Sequence, residues 1–122
     1  MDKVSKIIMI VLCATINSCT FFNKEEIQFE IINNSDFALK NVKVSTSEKL
    51  TTQKFDSIEP KENIVDFLSM KNNTQDGSYT IEFTRINNNK EENKYGYYTN
   101  GTPLEDSIKF NIQNDTIIVE FN

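Results

Sequence analysis

The sequence has 122 residues, enough for one domain and too few for two with separate cores. Hydrophobic residues make up 38% and charged residues 25%, with only 3 Gly and 2 Pro, which excludes a collagenous or low-complexity chain. The net charge is −5 and there is no His, which disfavours nucleic acid as a partner and removes the usual neutral-pH general base.

The first 16 residues read as a targeting segment. Lys3 and Lys6 precede an uncharged apolar run from Ile7 to Ile16. Ten residues of helix span about 15 Å, half of a hydrocarbon core of about 30 Å. A basic start, a short apolar run and a small residue at its end predict a helical signal peptide rather than a membrane span. Both cysteines, Cys13 and Cys19, lie in the first 19 residues. Beyond them the chain has no disulfide, no thiolate nucleophile and no Cys or His metal ligand, so any metal site would be oxygen-only.

The stretch Ile16-Asn17-Ser18-Cys19 resembles the lipobox of a bacterial lipoprotein. Ile16 stands where the lipobox usually has Leu, and Ser18 is a usual small residue. Asn17 departs from the usual Ala or Ser. The resemblance implies cleavage before Cys19 and a diacylglyceryl (palmitate-type) anchor on its thiol. Cleavage would remove two of the 13 basic residues and one of the 18 acidic ones, leaving a more acidic mature chain. Thr20 stands where an Asp favours inner-membrane retention in some Gram-negative lipoproteins, so the resemblance points to the outer membrane. Lys24-Glu25-Glu26 resembles the acidic signal that sends some lipoproteins to the outer face of that membrane. Several acyl chains hold a soluble domain firmly where one would not. The expected organisation is a signal peptide over 1–18, a lipidated tether over 19–25 and a β-domain over 26–122.

The rest of the chain alternates at period two. Ile27, Phe29 and Ile31 mark a strand over 25–33, followed by the turn formers Asn33-Asn34-Ser35-Asp36. Val42 and Val44 mark a second strand over 40–46. Residues 47–53 are polar and read as irregular. Phe55 and Ile58 can plug a core edge, and Pro60 forbids a central ladder position nearby. Phe55-Asp56-Ser57-Ile58-Glu59-Pro60-Lys61-Glu62 resembles a turn of bacterial immunoglobulin-like modules. Over 63–70, Ile64, Leu68 and Met70 share a face with Asp66 while Val65 and Phe67 take the other, which predicts a covered central strand. Tyr79, Ile81 and Phe83 mark the clearest strand, over 78–86. Asp76-Gly77-Ser78-Tyr79-Thr80-Ile81 faintly resembles an immunoglobulin stretch in which Tyr79 would be the corner tyrosine.

Residues 87–93 read as a polar loop. Tyr95, Tyr97 and Tyr98 mark a strand over 94–99, and Asn100-Gly101-Thr102-Pro103 turns the chain. Strands over 107–113 and 116–121 flank Asn114-Asp115, a two-residue hairpin loop. That register pairs Ile112 with Ile117, Phe110 with Val119 and Ile108 with Phe121, and a slip of one residue would break the agreement. The expected fold is all-β: an immunoglobulin-like or transthyretin-like β-sandwich of seven to eight strands, with an open barrel as the alternative.

Three kinds of site residue follow. Tyr97 and Tyr98 face opposite sides of a strand, so at least one is exposed and offers a binding surface for a protein or glycan. Asp56-Ser57-Ile58, Asp106-Ser107-Ile108 and Asp115-Thr116-Ile117 resemble the Asp-Ser/Thr-apolar acceptor of an O-glycosylation system in some Gram-negative envelopes. That resemblance implies Ser57, Ser107 and Thr116 as acceptors, although a polar turn before a strand gives the same letters. Glu91 with Glu92, Glu105 with Asp106, and Asp56 with Glu59 are paired carboxylates best read as solvated faces. No cofactor, metal or catalytic residue is expected. The leading expectation is an outer-membrane lipoprotein, surface-exposed if Lys24-Glu25-Glu26 acts, with a binding or structural accessory role. The rivals are a subunit of an outer-membrane complex and a small envelope enzyme or inhibitor. A subunit should show a bare edge strand or an apolar patch, whereas a free binder should show charged edges.

Overall fold

The computed structural model describes residues 25–122; the expected signal peptide, Cys19 and most of the expected tether lie outside the described residues. The described chain is all-β. Its strands are β1 (Glu26–Asn33), β2 (Leu39–Thr46), β3 (Thr52–Ile58), β4 (Asn63–Ser69), β5 (Gly77–Thr84), β6 (Lys90–Thr99), β7 (Thr102–Pro103), β8 (Ser107–Ile112) and β9 (Ile117–Phe121). They form two sheets, ordered β4-β1-β8-β9 and β3-β2-β5-β6-β7. This is the expected β-sandwich, with nine strands where the alternation suggested seven to eight.

The pleat explains the core. Successive residues point to opposite faces, so the apolar member of each pair turns inward. Ile27, Phe29 and Ile31 of β1 meet Ile108, Phe110 and Ile112 of β8 in one layer, and Val42, Val44, Tyr79, Ile81 and Phe83 fill the other. All are buried. Phe55 packs from the side, its ring edge-on to Phe29 at 6.2 Å. The β8–β9 hairpin has the expected register, with Ile112 opposite Ile117, Phe110 opposite Val119 and Ile108 opposite Phe121. β1 pairs with β8 in parallel and with β4 in antiparallel fashion, so the first sheet is mixed.

Two bulges adjust the pattern. Asn41 takes a φ of 50° and breaks the β2–β5 register, so Leu39 and Val42 both point inward although only two residues, an even number, lie between them. Gly96, at φ 70°, breaks the β5–β6 register. A Cβ there would lie 2.6 Å from Cζ of Phe121, so only glycine lets the end of β9 tuck beneath β6.

Four expectations are corrected. Residues 52–53 belong to β3 and residues 90–93 to β6. Both segments are sheet edges whose outward residues are charged or polar, so they carry no apolar alternation to read. The strand over 63–69 is an edge rather than a covered centre: Val65 and Phe67 are 52% and 46% exposed. Tyr79 makes no corner hydrogen bond, because its buried hydroxyl has no partner among the described residues. Burial pushes its phenol pKa well above the ordinary range, with the nearby Tyr98 and Glu105 adding to the shift.

Candidate functional site

The loops at one end of the sandwich build a cleft of about 440 Å³. It lies beyond the C-terminal end of β1, between the β1–β2, β5–β6 and β8–β9 connections. Asn33 starts it. This fully buried amide donates to the carbonyls of Phe37 at 3.0 Å and Ile58 at 2.9 Å, and its Oδ1 accepts from Ser35 N at 3.0 Å. One side chain thus shapes the β1–β2 loop and ties it to the end of β3. Asn114 fastens the hairpin to the same loop. It donates to Asp36 Oδ2 at 3.0 Å and accepts from Asp36 N at 2.9 Å.

The third wall is a tight turn. Arg85 N donates to Asn89 O at 2.9 Å, Asn88 N donates to Arg85 O at 3.0 Å, and Asn88 sits at φ 59°. A three-residue hairpin loop needs one left-handed residue, and Asn tolerates that conformation. Arg85 then reaches across the end of the sandwich. Its Nε donates to Glu91 at 2.9 Å, its Nη1 donates to the Gln113 carbonyl at 2.8 Å, and its guanidinium lies 5.1 Å from the Phe83 ring centre. Nη2 is buried and has no hydrogen-bond partner among the described residues. Arg85 is the only arginine in the sequence. Two fixed hydrogen bonds make it a rigid post that holds the walls apart, a role suited to its planar fork.

The rim is apolar and acidic. Phe37 and Ile86 are 52% and 59% exposed beside it, and Asp36 and Asp115 line it. Arg85 is already paired with Glu91, so the mouth carries net negative charge. Such a cleft suits a ligand with an apolar body against Phe37 and Ile86 and a cationic or donor-rich head. No group of three or more Cys, Asp or Glu side chains able to hold a metal occurs among the described residues.

The site residues named from sequence lie elsewhere. Tyr97 is 51% exposed and its hydroxyl donates to Asp76 Oδ2 at 2.9 Å. Asn100 N donates to the other oxygen at 2.9 Å. The Asn100 amide first, and the Tyr97 hydroxyl second, hold the Asp76 pKa below its usual value, while Asp76 raises that of Tyr97. Tyr98 is not part of a surface: it is fully buried, 5.5 Å from the Tyr79 ring, with its hydroxyl donating to Glu48 at 3.2 Å. Strand alternation puts Tyr97 and Tyr98 on opposite faces, and the bulge at Gly96 makes Tyr98 the inward one. Both sit at the end of the sandwich where β1 begins, away from the cleft. Ser57 is half-buried within β3, donating to Glu59 at 3.0 Å and accepting from Lys40 at 3.2 Å. Ser107 is half-buried at the start of β8, and Thr116 is exposed before β9. Of the paired carboxylates, Glu91 is an anchor for Arg85 rather than part of a solvated face.

The chain is similar in fold to a protein from Eubacterium rectale whose structure was solved by NMR. The TM-score is 0.57 at 16% identity, over 80% of this chain and 89% of that one. No family model matches the sequence, and no curated protein matches it. The likeness supports the sandwich and carries no activity with it.

Proposed function

We propose that this chain is an outer-membrane lipoprotein, held by acyl chains on Cys19, whose β-sandwich is a non-catalytic binding module. The polarity of the sandwich is the observation that carries this reading. The described chain enters β1 at Glu26, and the cleft lies past Asn33 at its other end. Eight strand residues at about 3.3 Å each put roughly 26 Å between the two ends. A domain tethered at the first end presents the second to whatever lies beyond the membrane. The rigid walls made by Asn33, Arg85 and Asn114 suit recognition, since pre-shaped loops lose little entropy on binding. Lys24-Glu25-Glu26 supports placement on the outer face. The test of the module is an amide chemical-shift titration of the full chain in detergent with a panel of short cationic peptides and envelope glycans. The reading expects shifts centred on Phe37, Arg85 and Ile86; shifts centred on Tyr97 and Asp76 would contradict it and favour the exposed tyrosine.

A second reading, that the domain docks as a subunit of an envelope complex, is favoured by one observation: β9 has a bare edge.

A further inference from the structure

Four strand edges border the two sheets, and three are guarded. On β4 the Phe67 N–H donates to Asp66 Oδ1 at 2.7 Å, and its carbonyl accepts from Gln53 Nε2 at 2.9 Å. Both hydrogen-bonding groups of the edge are therefore taken at that residue, and Asp66 adds an inward-facing charge. β3 carries the exposed charges Lys54 and Asp56. The free stretch of β6 carries Lys90, Glu92 and Lys94, with Lys90 Nζ on Glu82 at 2.6 Å. Such charges and side-chain caps oppose edge pairing. β9 reads Ile-Ile-Val-Glu-Phe, with one charge in five residues.

The hydrogen bonds of the hairpin show which groups of β9 are free. Ser107 and Asn122 exchange two bonds, at 3.0 and 3.1 Å, and Gln113 N donates to Thr116 O at 2.9 Å. Hydrogen-bonded pairs alternate along an antiparallel ladder, so Thr116, Ile118, Glu120 and Asn122 point their backbone groups at β8. The N–H and C=O groups of Ile117, Val119 and Phe121 then point outward along the open edge. Beside Ile117 a groove of about 470 Å³ runs between β9 and the edge of β6, lined by Glu91, Glu92, Asp115 and Lys90. Glu91 pairs with Arg85, Glu92 with Lys49 at 3.4 Å and Lys90 with Glu82, so the net negative charge of the groove comes from Asp115.

We propose that β9 accepts an extended segment of a partner protein as a fifth strand of its sheet, and that this segment is apolar with Lys or Arg at alternate positions. The inference rests on the subunit reading and is independent of the cleft and of Cys19. Main-chain bonds to Ile117, Val119 and Phe121 supply the pairing, and the basic side chains meet the acidic groove. A second copy of this chain fits poorly. Antiparallel pairing of two β9 strands about Val119 would set Glu120 opposite Ile118 of the other copy and bring two acidic grooves together. It would also turn the two β1 strands in opposite directions, sending the two tethers to opposite ends of the pair.

The test uses the full chain in detergent and a synthetic peptide of alternating Val and Lys, with an alternating Val and Glu peptide as control. Amide hydrogen exchange of the wild type is read with and without each peptide. The Val/Lys peptide should slow exchange at Ile117, Val119 and Phe121 at least tenfold, leave Ile118 and Glu120 unchanged, and bind more weakly as salt rises. Val119→Pro removes the central donor at a position where an edge strand tolerates proline, and should weaken peptide binding at least tenfold with the melting curve retained. A Val119→Pro chain that fails to fold leaves the wild-type exchange pattern as the deciding result. Equal protection by the Val/Glu peptide, protection confined to the Phe37–Ile86 cleft, or protection that appears without peptide as concentration rises would each overturn the proposal, the last in favour of a homodimer. Loss of peptide protection with cleft titration intact would sink the strand-addition site alone.

Discussion

Replacing Gly96 with Ala should destabilise the domain, and the structure gives both the size and the cause. The residue sits at φ 70°, where a β-carbon meets the following carbonyl at a cost of about 1–2 kcal/mol. The same carbon would lie 2.6 Å from Cζ and 2.7 Å from Cε1 of Phe121, and 3.3 Å from Cδ2 of Tyr79. The Phe121 ring must move, and overpacking of this kind costs about 1–3 kcal/mol. Phe121 is half-buried near the chain end, so the lower figure applies. Alanine also narrows the unfolded ensemble, which offsets about 0.4–1 kcal/mol. The net loss is about 1–3 kcal/mol, a fall in Tm of roughly 5–20 °C for a domain of this size. Thermal unfolding followed by circular dichroism reads it directly. Phe121→Leu shortens the ring that causes the clash, so the Gly96→Ala cost should shrink by about 1 kcal/mol in that background. A neutral or stabilising Gly96→Ala, or an equal cost in both backgrounds, would refute the bulge and its contact with β9.

Further expectations concern the two ends of the sandwich. Asn33→Ala takes the side-chain donor from the buried Ile58 carbonyl, while the Phe37 carbonyl keeps Ser35 Oγ at 2.9 Å, and should cost about 2 kcal/mol in urea unfolding; a loss below about 1 kcal/mol would mean the loop does not depend on this amide. Asp76 has its folded pKa depressed below 3.8 by the Asn100 amide and the Tyr97 hydroxyl. Its contribution is complete above the unfolded value and is lost as pH falls through the folded one. Asp76→Asn should therefore flatten the acid limb of the stability curve below about pH 4, and an unchanged limb in urea midpoints would count against the Tyr97–Asp76 pair. Among the three acceptor-like sites, exposed Thr116 should be modified ahead of half-buried Ser57 and Ser107. Intact mass of protein from its own envelope should lose a glycan increment in Thr116→Ala, and an unmodified wild-type mass would end that reading.

Much of the fold was legible because burial writes itself as alternation. The β8–β9 hairpin carries six apolar residues in matching phase, so its register follows from the pattern alone. The edges were not legible, for the opposite reason. Lys54, Asp56, Lys90 and Glu92 face water from genuine strands, and Val65 and Phe67 are apolar residues left half-exposed on one. The cleft depends on contacts between segments far apart in sequence, such as Arg85 with the Gln113 carbonyl, and no local rule foretells them. One signal was available: a lone arginine beside Ile86 and three asparagines marks a turn with something to hold. The bulge also decides which of the two tyrosines is buried, because Gly96 resets the pleat so that Tyr98, rather than Tyr97, faces inward with Tyr95.

This sandwich is proposed to work at the end of a lipid tether, with its cleft at the end opposite the start of β1. The direct measurement is acyl labelling with radiolabelled palmitate in its own host, followed by detergent phase partition of wild type and Cys19→Ala. Label and detergent-phase partition in the wild type, both lost in Cys19→Ala, are the predicted result. Unlabelled wild-type protein, or identical partition of the two chains, would contradict the claim and leave an unanchored β-sandwich.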